Sequence, residues 1–182
     1  MASMDKAHTL EEKRAALIIK YRNFKVESVE KEEDRLVYHL TRGEETYLMH
    51  ILLDKKTIGI AFIRELRDQV EAGDVSGGII VADGKYTYSA RSNAPEMSIE
   101  LVPSSLPTFD VFEHAYVPLH EILSDEERKE ISEKFHAEPF HFPWIRSTDP
   151  ISIILGARPG NVLRVTHDSE TAGKYLSYRY VV

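Results

Sequence analysis

The chain has 182 residues, 42% apolar and 29% charged, with no cysteine and a formal net charge of −7. This is the composition of a folded chain, well away from the disordered and fibrous classes, and zero cysteine excludes a disulfide framework, a cysteine-based zinc site and a thiol nucleophile. Both halves are mildly acidic, with 15 basic and 18 acidic residues in 1–109 and 8 and 12 in 110–182, which excludes the basic footprint of a free-standing DNA binder. Apolar runs such as Ile51-Leu52-Leu53 and Ile153-Ile154-Leu155 fall far short of the ~20 residues of a membrane helix. Residues 1–13 lack the apolar core of a secretion signal and the arginines of a transit peptide, so the expectation is an intracellular chain.

Residues 9–21 open with Thr9 and Glu12 at capping-box spacing; Leu10, Arg14, Leu17 and Ile18 give a helical stripe. Alternating segments follow at 25–29, 35–41 and 46–53, the last two joined by Arg42-Gly43-Glu44-Glu45, which reads as a hairpin. A short strand is expected at 56–60. Ile60, Ile63, Leu66 and Val70 then stand at helical spacing, and Gly73 closes that helix. Gly78-Ile79-Ile80-Val81-Ala82 reads as a buried strand, 86–93 as a short helix and 97–101 as a strand. The order predicts a mixed sheet flanked by helices. Pro103, Pro107 and the serines between them break the pattern, and the domain boundary is placed there, giving domains 1–108 and 109–182.

In the second segment Ser124 and Glu127 form another capping box, opening a charged helix that runs to about His136. Asp149 and Pro150 mark a helix start, Ile151, Ile154 and Leu155 supply its apolar face, and Gly156 ends it. Arg158-Pro159-Gly160-Asn161 reads as a type II turn. Strands are expected at 162–166 and 175–182. A core of about 70 residues is marginal alone, which points to docking on a larger partner.

No motif assembles an active site. His167-Asp168-Ser169 are consecutive at a strand end and cannot form a hydrolase triad, which is a spatial constellation. His114, His120, His136 and His141 lack the spacing that puts two imidazoles on one helical face, and Gly77-Gly78 precedes a strand rather than a helix, so it is not a nucleotide loop. Asp34, followed about 20 residues later by Asp54-Lys55-Lys56, is similar to the metal-binding signature of restriction-type nucleases. There, carboxylates hold a divalent ion and the lysine orients water. Two readings stand side by side: a metal-dependent nuclease using Asp34, Asp54 and Lys56, or a solvated turn.

From residue 113 onward the chain resembles a known family. Glu113-His114, Val117-Pro118-Leu119-His120, Pro143-Trp144-Ile145, Thr148-Asp149-Pro150, Leu155-Gly156, Arg158-Pro159-Gly160, Ser169-Glu170-Thr171-Ala172-Gly173 and Ser177-Tyr178-Arg179 occur in order. Together they resemble the C-terminal domain shared by the fifth subunit of the eukaryotic RNA polymerases and its archaeal counterpart. Residues 9–108 are similar to the N-terminal jaw of the eukaryotic members, through Ile58-Gly59-Ile60, the helix after it and Gly78-Ile79-Ile80-Val81. Thr87-Tyr88-Ser89-Ala90-Arg91 resembles a jaw motif that reads Thr-Pro-Ser-Ala with a basic residue after it; Tyr88 stands in place of the proline.

The resemblance implies an α+β chain: a mixed-sheet, restriction-nuclease-like but non-catalytic jaw, plus a small α/β assembly domain. It implies a structural subunit of DNA-directed RNA polymerase with no cofactor or metal of its own, since the family's Mg²⁺ site lies on the two largest subunits. The partner surface for the largest subunit would draw on Pro118, His120, Pro143, Ile145, Asp149, Pro150, Gly156, Pro159, Gly160, Arg164, Ser169, Thr171, Ala172, Gly173, Tyr178 and Arg179. Arg164 and Arg179 could meet acids on that partner or be solvated. Thr87, Tyr88, Ser89, Ala90 and Arg91 would lie near downstream duplex DNA, where contacts to phosphate position the duplex without reading sequence. The chain would be a monomer within a hetero-oligomer, away from membranes, in the cytoplasm of an archaeon or the nucleus of a eukaryote.

Overall fold

The computed structural model describes residues 9–73, 75–169 and 173–182. The chain divides into two compact units, the first ending at Phe109 and the second running from Asp110 to Val182. Among the described residues no helix is long and apolar enough to cross a membrane.

Helix α1 (Leu10–Tyr21) opens on the expected box: Thr9 Oγ1 accepts from the Glu12 amide at 3.2 Å, and the Glu12 carboxylate accepts from the Thr9 amide at 2.9 Å. Its buried face is Arg14, Ala15, Leu17 and Ile18 with Glu11; Leu10, at the first helical position, stays 46% exposed. Strands β1 (Lys25–Lys31), β2 (Arg35–Arg42) and β3 (Glu45–Leu52) form an antiparallel meander. Arg42 pairs with Glu45 across a two-residue loop, where Gly43 takes φ +62°, the positive φ such loops need. A register shift between Val26 and Ser28 bends β1 at the sheet edge.

The chain then changes to parallel pairing. Strand β4 (Thr57–Ile58) leads into α2 (Ile60–Ala72), which returns to β5 (Gly77–Ala82); β6 (Lys85–Tyr86) leads into α3 (Tyr88–Asn93), which returns to β7 (Ile99–Val102). The sheet order is β1-β2-β3-β5-β7, with β3, β5 and β7 parallel, while β4 and β6 pair parallel as a separate ribbon. All six residues of β5 are buried, as a central strand covered on both faces requires. Leu48, Leu52 and Ile80 pack with Ile63, Leu66 and Val70 of α2. Met49, Ile51, Ile79 and Val81, of opposite parity, are also buried and point to the other face.

The structure differs from the periodicity at three places. Tyr86 belongs to β6 rather than to a helix, because its hydroxyl reaches the Ile80 and Val102 carbonyls at 3.0 and 2.9 Å; burial raises its pKa. Strand β7 starts at Ile99, since a 3-10 turn over Pro95–Met97 and Ser98 at φ +55° precede it. Gly73 ends α2 at φ −95°, outside the left-handed region.

Two buried arginines tie α1 to the rest. Arg14, 5% exposed, donates to the Leu106 carbonyl (2.8 Å), the Ser104 carbonyl (2.6 Å) and Asp83 Oδ1 (2.7 Å). Arg22 grips Glu100 of β7 in a bidentate pair at 2.6 and 2.7 Å.

The second unit carries a four-stranded sheet of β8 (Leu119–Ile122), β9 (Trp144–Ile145), β10 (Val162–Ser169) and β11 (Gly173–Val181), in the order β8-β10-β11-β9. All pairs are antiparallel except β11 with β9. Helix α4 (Asp125–Phe135) has the Ser124–Glu127 capping box and ends at His136, φ +49°. Helix α5 (Pro150–Leu155) is capped by Asp149, whose Oδ1 accepts from Ile151 N at 2.9 Å, and stops at Gly156, φ +75°. Asn161 N donates to Arg158 O at 3.0 Å with Gly160 at φ +96°, consistent with the type II turn. One small cluster joins Leu123, Val162 and Tyr178 with Ile131 and Phe142; another joins Ala157, Leu163 and Val181 with Ile145 and Leu155. Strands β8 and β9 are too short to show an alternation in the sequence.

Replacing Arg14 with leucine leaves Asp83 and two carbonyls without their donor. The first unit is expected to lose about 3 kcal/mol, read as a lower urea midpoint; an unchanged midpoint would contradict the anchoring role.

Candidate functional site

The carboxyl ends of β3, β5 and β7 lead into segments 54–56, 83–85 and 103–106; the first two, with Ser104 of the third and Glu11, line an open cavity of about 400 Å³. The two lysine-bearing loops touch. Lys85 N donates to Lys56 O at 3.0 Å. A Cβ on Gly84 would overlap the Lys55 carbonyl oxygen and stand 2.8 Å from the Lys56 carbonyl carbon, so glycine alone permits this approach. Lys56 and Lys85 therefore stand side by side, both exposed.

The residues of the nuclease reading are arranged differently. Asp34 pairs with Lys55 Nζ at 2.7 Å, and that hydrogen bond holds its carboxyl below the usual range. Asp54, at φ +53°, and Lys56 line the cavity, whereas Asp34 does not. Among the described residues no group of three histidines or carboxylates is placed to hold a metal. The nuclease reading finds no support here, and the segment 54–56 is a turn.

Within 87–91, two side chains serve the fold. Thr87 Oγ1 accepts from Ala90 N at 3.2 Å and caps α3, and Ala90 is fully buried against α2's core. Tyr88, Ser89 and Arg91 face solvent, Tyr88 at 81% exposure. Tyr88 occupies the first helical position, where proline is favoured because its missing amide is unpaired anyway. A tyrosine fits the same capped turn.

In the second unit, several of the expected partner-facing residues are backbone-fixing elements. Asp149, Pro150, Gly156, Pro159 and Gly160 cap, start, stop and turn the chain as above. Pro118 O accepts from His120 Nδ1 at 2.7 Å, which places the ring proton on Nδ1 because a carbonyl only accepts. His120 and Tyr178 are buried, and Ile145 packs in the small core. Pro143 and Arg179 are exposed. Gly173 starts β11 at φ +68° opposite Ser169; Glu170, Thr171 and Ala172 lie outside the described residues. Arg164, its side chain 30% exposed, has acids of its own unit as partners. It pairs with Glu121 at 3.1 Å and Glu127 at 3.0 Å, which raises its pKa.

The sequence reading missed the exposed apolar surface of this unit. Leu119 of β8 and Leu176 of β11 are both register partners of Thr166 on β10, so the three form one cross-strand row on one face. Both leucines are 54% exposed. Phe140 and Trp144 are also exposed, with Trp144 held by a 3.0 Å bond to Phe140 O. Their signal was a strand residue of apolar type in phase with Thr166, visible once the register is known.

Residues 109–181 match the family model described as RNA polymerase Rpb5, C-terminal domain. The chain is 46% identical over 74 residues to "DNA-directed RNA polymerase subunit Rpo5" of Pyrococcus horikoshii, covering 41% of this chain and 90% of that one. The corresponding subunit of Sulfurisphaera tokodaii is 40% identical over 79 residues, 94% of its length. This chain belongs to the Rpb5 family of RNA polymerase subunits. The match to another member, "DNA-directed RNA polymerases I, II, and III subunit RPABC1" of Caenorhabditis elegans, extends into the first unit: 32% identity over 129 residues, 69% of this chain. The chain spans 61% of the length of that Rpb5 relative.

Two buried histidines are expected to lower the stability of this Rpb5-family chain in acid. Burial pushes the pKa of His120 down against the opposing pull of the Pro118 bond and Asp149, with His167 and Arg179 adding to the depression. Burial likewise lowers that of His50, whose Nε2 meets Gln69 Oε1 at 2.8 Å. The unfolded chain then binds more protons just below about 6.5, so stability falls as pH drops through that value and keeps falling toward the lower folded values. The urea midpoint is expected to be lower at pH 5.5 than at pH 7.5; a higher midpoint at pH 5.5 would contradict the neutral, buried state of these rings.

Proposed function

We propose that this Rpb5-family chain is a non-catalytic structural subunit of DNA-directed RNA polymerase. Residues 109–182 dock on the largest subunit, and residues 1–108 form a jaw near downstream duplex DNA. The observation that carries this reading is the match to archaeal Rpo5 chains that cover little more than the second unit: that unit is the part the relatives share across nearly their whole length. Its surface supports docking. The Leu119–Thr166–Leu176 row, with Phe140 and Trp144, leaves large apolar side chains in water, a feature of protein–protein interfaces. The largest subunit as partner rests on the family resemblance.

The mixed five-stranded sheet with helices on it suits a restriction-nuclease-like jaw whose role is shape. The cation-bearing loops at its strand ends, and the exposed Tyr88, Ser89 and Arg91, suit a place beside DNA. The chain is one copy in the assembly, holds no cofactor, makes no membrane contact, and works where the polymerase works, in the cytoplasm or the nucleus.

The test is recovery of an N-terminally tagged full chain from cells, followed by mass spectrometry. The wild-type chain is expected to bring down the two large polymerase subunits in stoichiometric amount. The Leu119→Asp, Leu176→Asp double variant should recover them at least ~10-fold less well, and Tyr88→Ala as well as wild type. Wild-type chain recovered without polymerase subunits would overturn the proposal; undiminished recovery by the double variant would remove the docking row from it.

A further inference from the structure

The first unit has another open cavity, of about 420 Å³, where α2 ends and the chain enters β5 and β7. Its apolar lining is Val70 of α2, Val75 before β5 and Met97 before β7. Val70 is 8% exposed, and Val75 and Met97 are half-buried against the same core. Backbone bonds fix the walls: Val75 N donates to Val70 O at 3.2 Å, Ser76 N to Thr46 O at 2.9 Å and Gly78 N to Ser98 O at 3.2 Å. The charge here is negative. Glu71 and Glu96 line the cavity and are exposed, and Arg67 is the cation among the lining residues. That cation is already engaged, with Asp68 at 2.7 Å and Glu71 at 3.6 Å. Among the described residues Glu96 has no ion-pair partner. The last turn of α2 carries no basic residue, although the carbonyl end of a helix bears partial negative charge that a cation complements.

We propose that this cavity is a docking pocket for an arginine or lysine side chain of a partner polypeptide. The methylenes lie on Val70, Val75 and Met97, and the charged head meets Glu71 and Glu96 beside the end of α2. Long cationic side chains cover apolar surface with their stems and keep the head among polar groups, and the cavity presents both surfaces together. Its volume falls in the range of ligand-sized clefts, and the sign of its charge excludes a phosphate-bearing occupant. Exposed ion pairs contribute little each, so the pocket selects a basic residue within a larger contact rather than holding a partner alone. The inference is independent of the polymerase-subunit reading.

The test is an NMR amide-shift titration of the isotope-labelled full chain with three probes: N-acetyl-arginine methylamide, the uncharged N-acetyl-norleucine methylamide, and methylguanidinium, which has the head without the stem. The arginine probe is expected to move the amides of Glu71, Val75, Met97 and Ser98 saturably, and the other two to move them far less. Glu71→Gln with Glu96→Gln should weaken arginine binding about 5-fold, the scale of two exposed ion pairs, with the rest of the spectrum unchanged. The control pair Glu33→Gln with Glu44→Gln should keep the wild-type affinity. No saturable shift at these amides would overturn the proposal, as would an equal response to either partial probe or an equal loss in the control pair, which would show general attraction to an acidic chain. The polypeptide source is checked separately. The chain has no cysteine, so Ser76→Cys gives a single attachment point for a photo-cross-linker on the tagged full chain recovered from cells with its partners. The captured peptide is expected to carry a lysine or arginine next to the linked position; a captured peptide without one, or none at all, would overturn the polypeptide occupant.

Discussion

The contact on which the first unit's surface depends is the close approach of two loops at Gly84. Segments 54–56 and 83–85 leave neighbouring parallel strands, and only a residue without a Cβ lets them meet. Arg14 secures the arrangement from the α1 side by holding Asp83 and the carbonyls of Ser104 and Leu106, and Tyr86 secures it from the other by reaching the ends of β5 and β7. Each of these buried side chains has hydrogen-bond partners on the segments it joins, as a polar network that fixes geometry requires. The exposed lysines are thus displayed by backbone, not by flexible loops.

The second unit solves a different problem. It has few residues and divides its apolar side chains between two faces of one sheet, so neither core is thick. Helix α4 has no fully buried residue and is held by caps, by Phe135 edge-on to Phe142 and Tyr178, and by the Arg164–Glu127 pair. Local devices such as Asp149, Pro150, Gly156 and the Pro159-Gly160 turn do work that a larger core would do through packing. A unit built this way keeps apolar surface in water, at Leu119 and Leu176 among others, and a partner that covers this surface adds to its stability by mass action.

Much of this was legible in the residues. Caps, hairpin and stops are written in single residue types at fixed spacing: Thr9 with Glu12, Ser124 with Glu127, Gly43, Asp149-Pro150. What was not legible depends on register or on distant partners. Strands β8 and β9 have four and two residues and show no period. Arg164 found Glu121 and Glu127 of its own unit, more than thirty residues away. The Thr87–Arg91 segment was recognised as a motif, yet its division into a cap, a core alanine and exposed residues required the helix to be seen. The carboxylates around Asp34 and Asp54 look like a metal signature when spaced along a line; in space Asp34 belongs to Lys55.

The division of labour between the units is tested most directly by cross-linking mass spectrometry on polymerase purified through the tagged full chain, with a lysine-reactive reagent. Lys129, Lys134 and Lys174 of the second unit are expected to give cross-links to the largest subunit, and the exposed lysines of the first unit, Lys13, Lys20, Lys25, Lys31, Lys56 and Lys85, few or none. Cross-links to the largest subunit confined to the first unit would contradict the assignment of docking to residues 109–182.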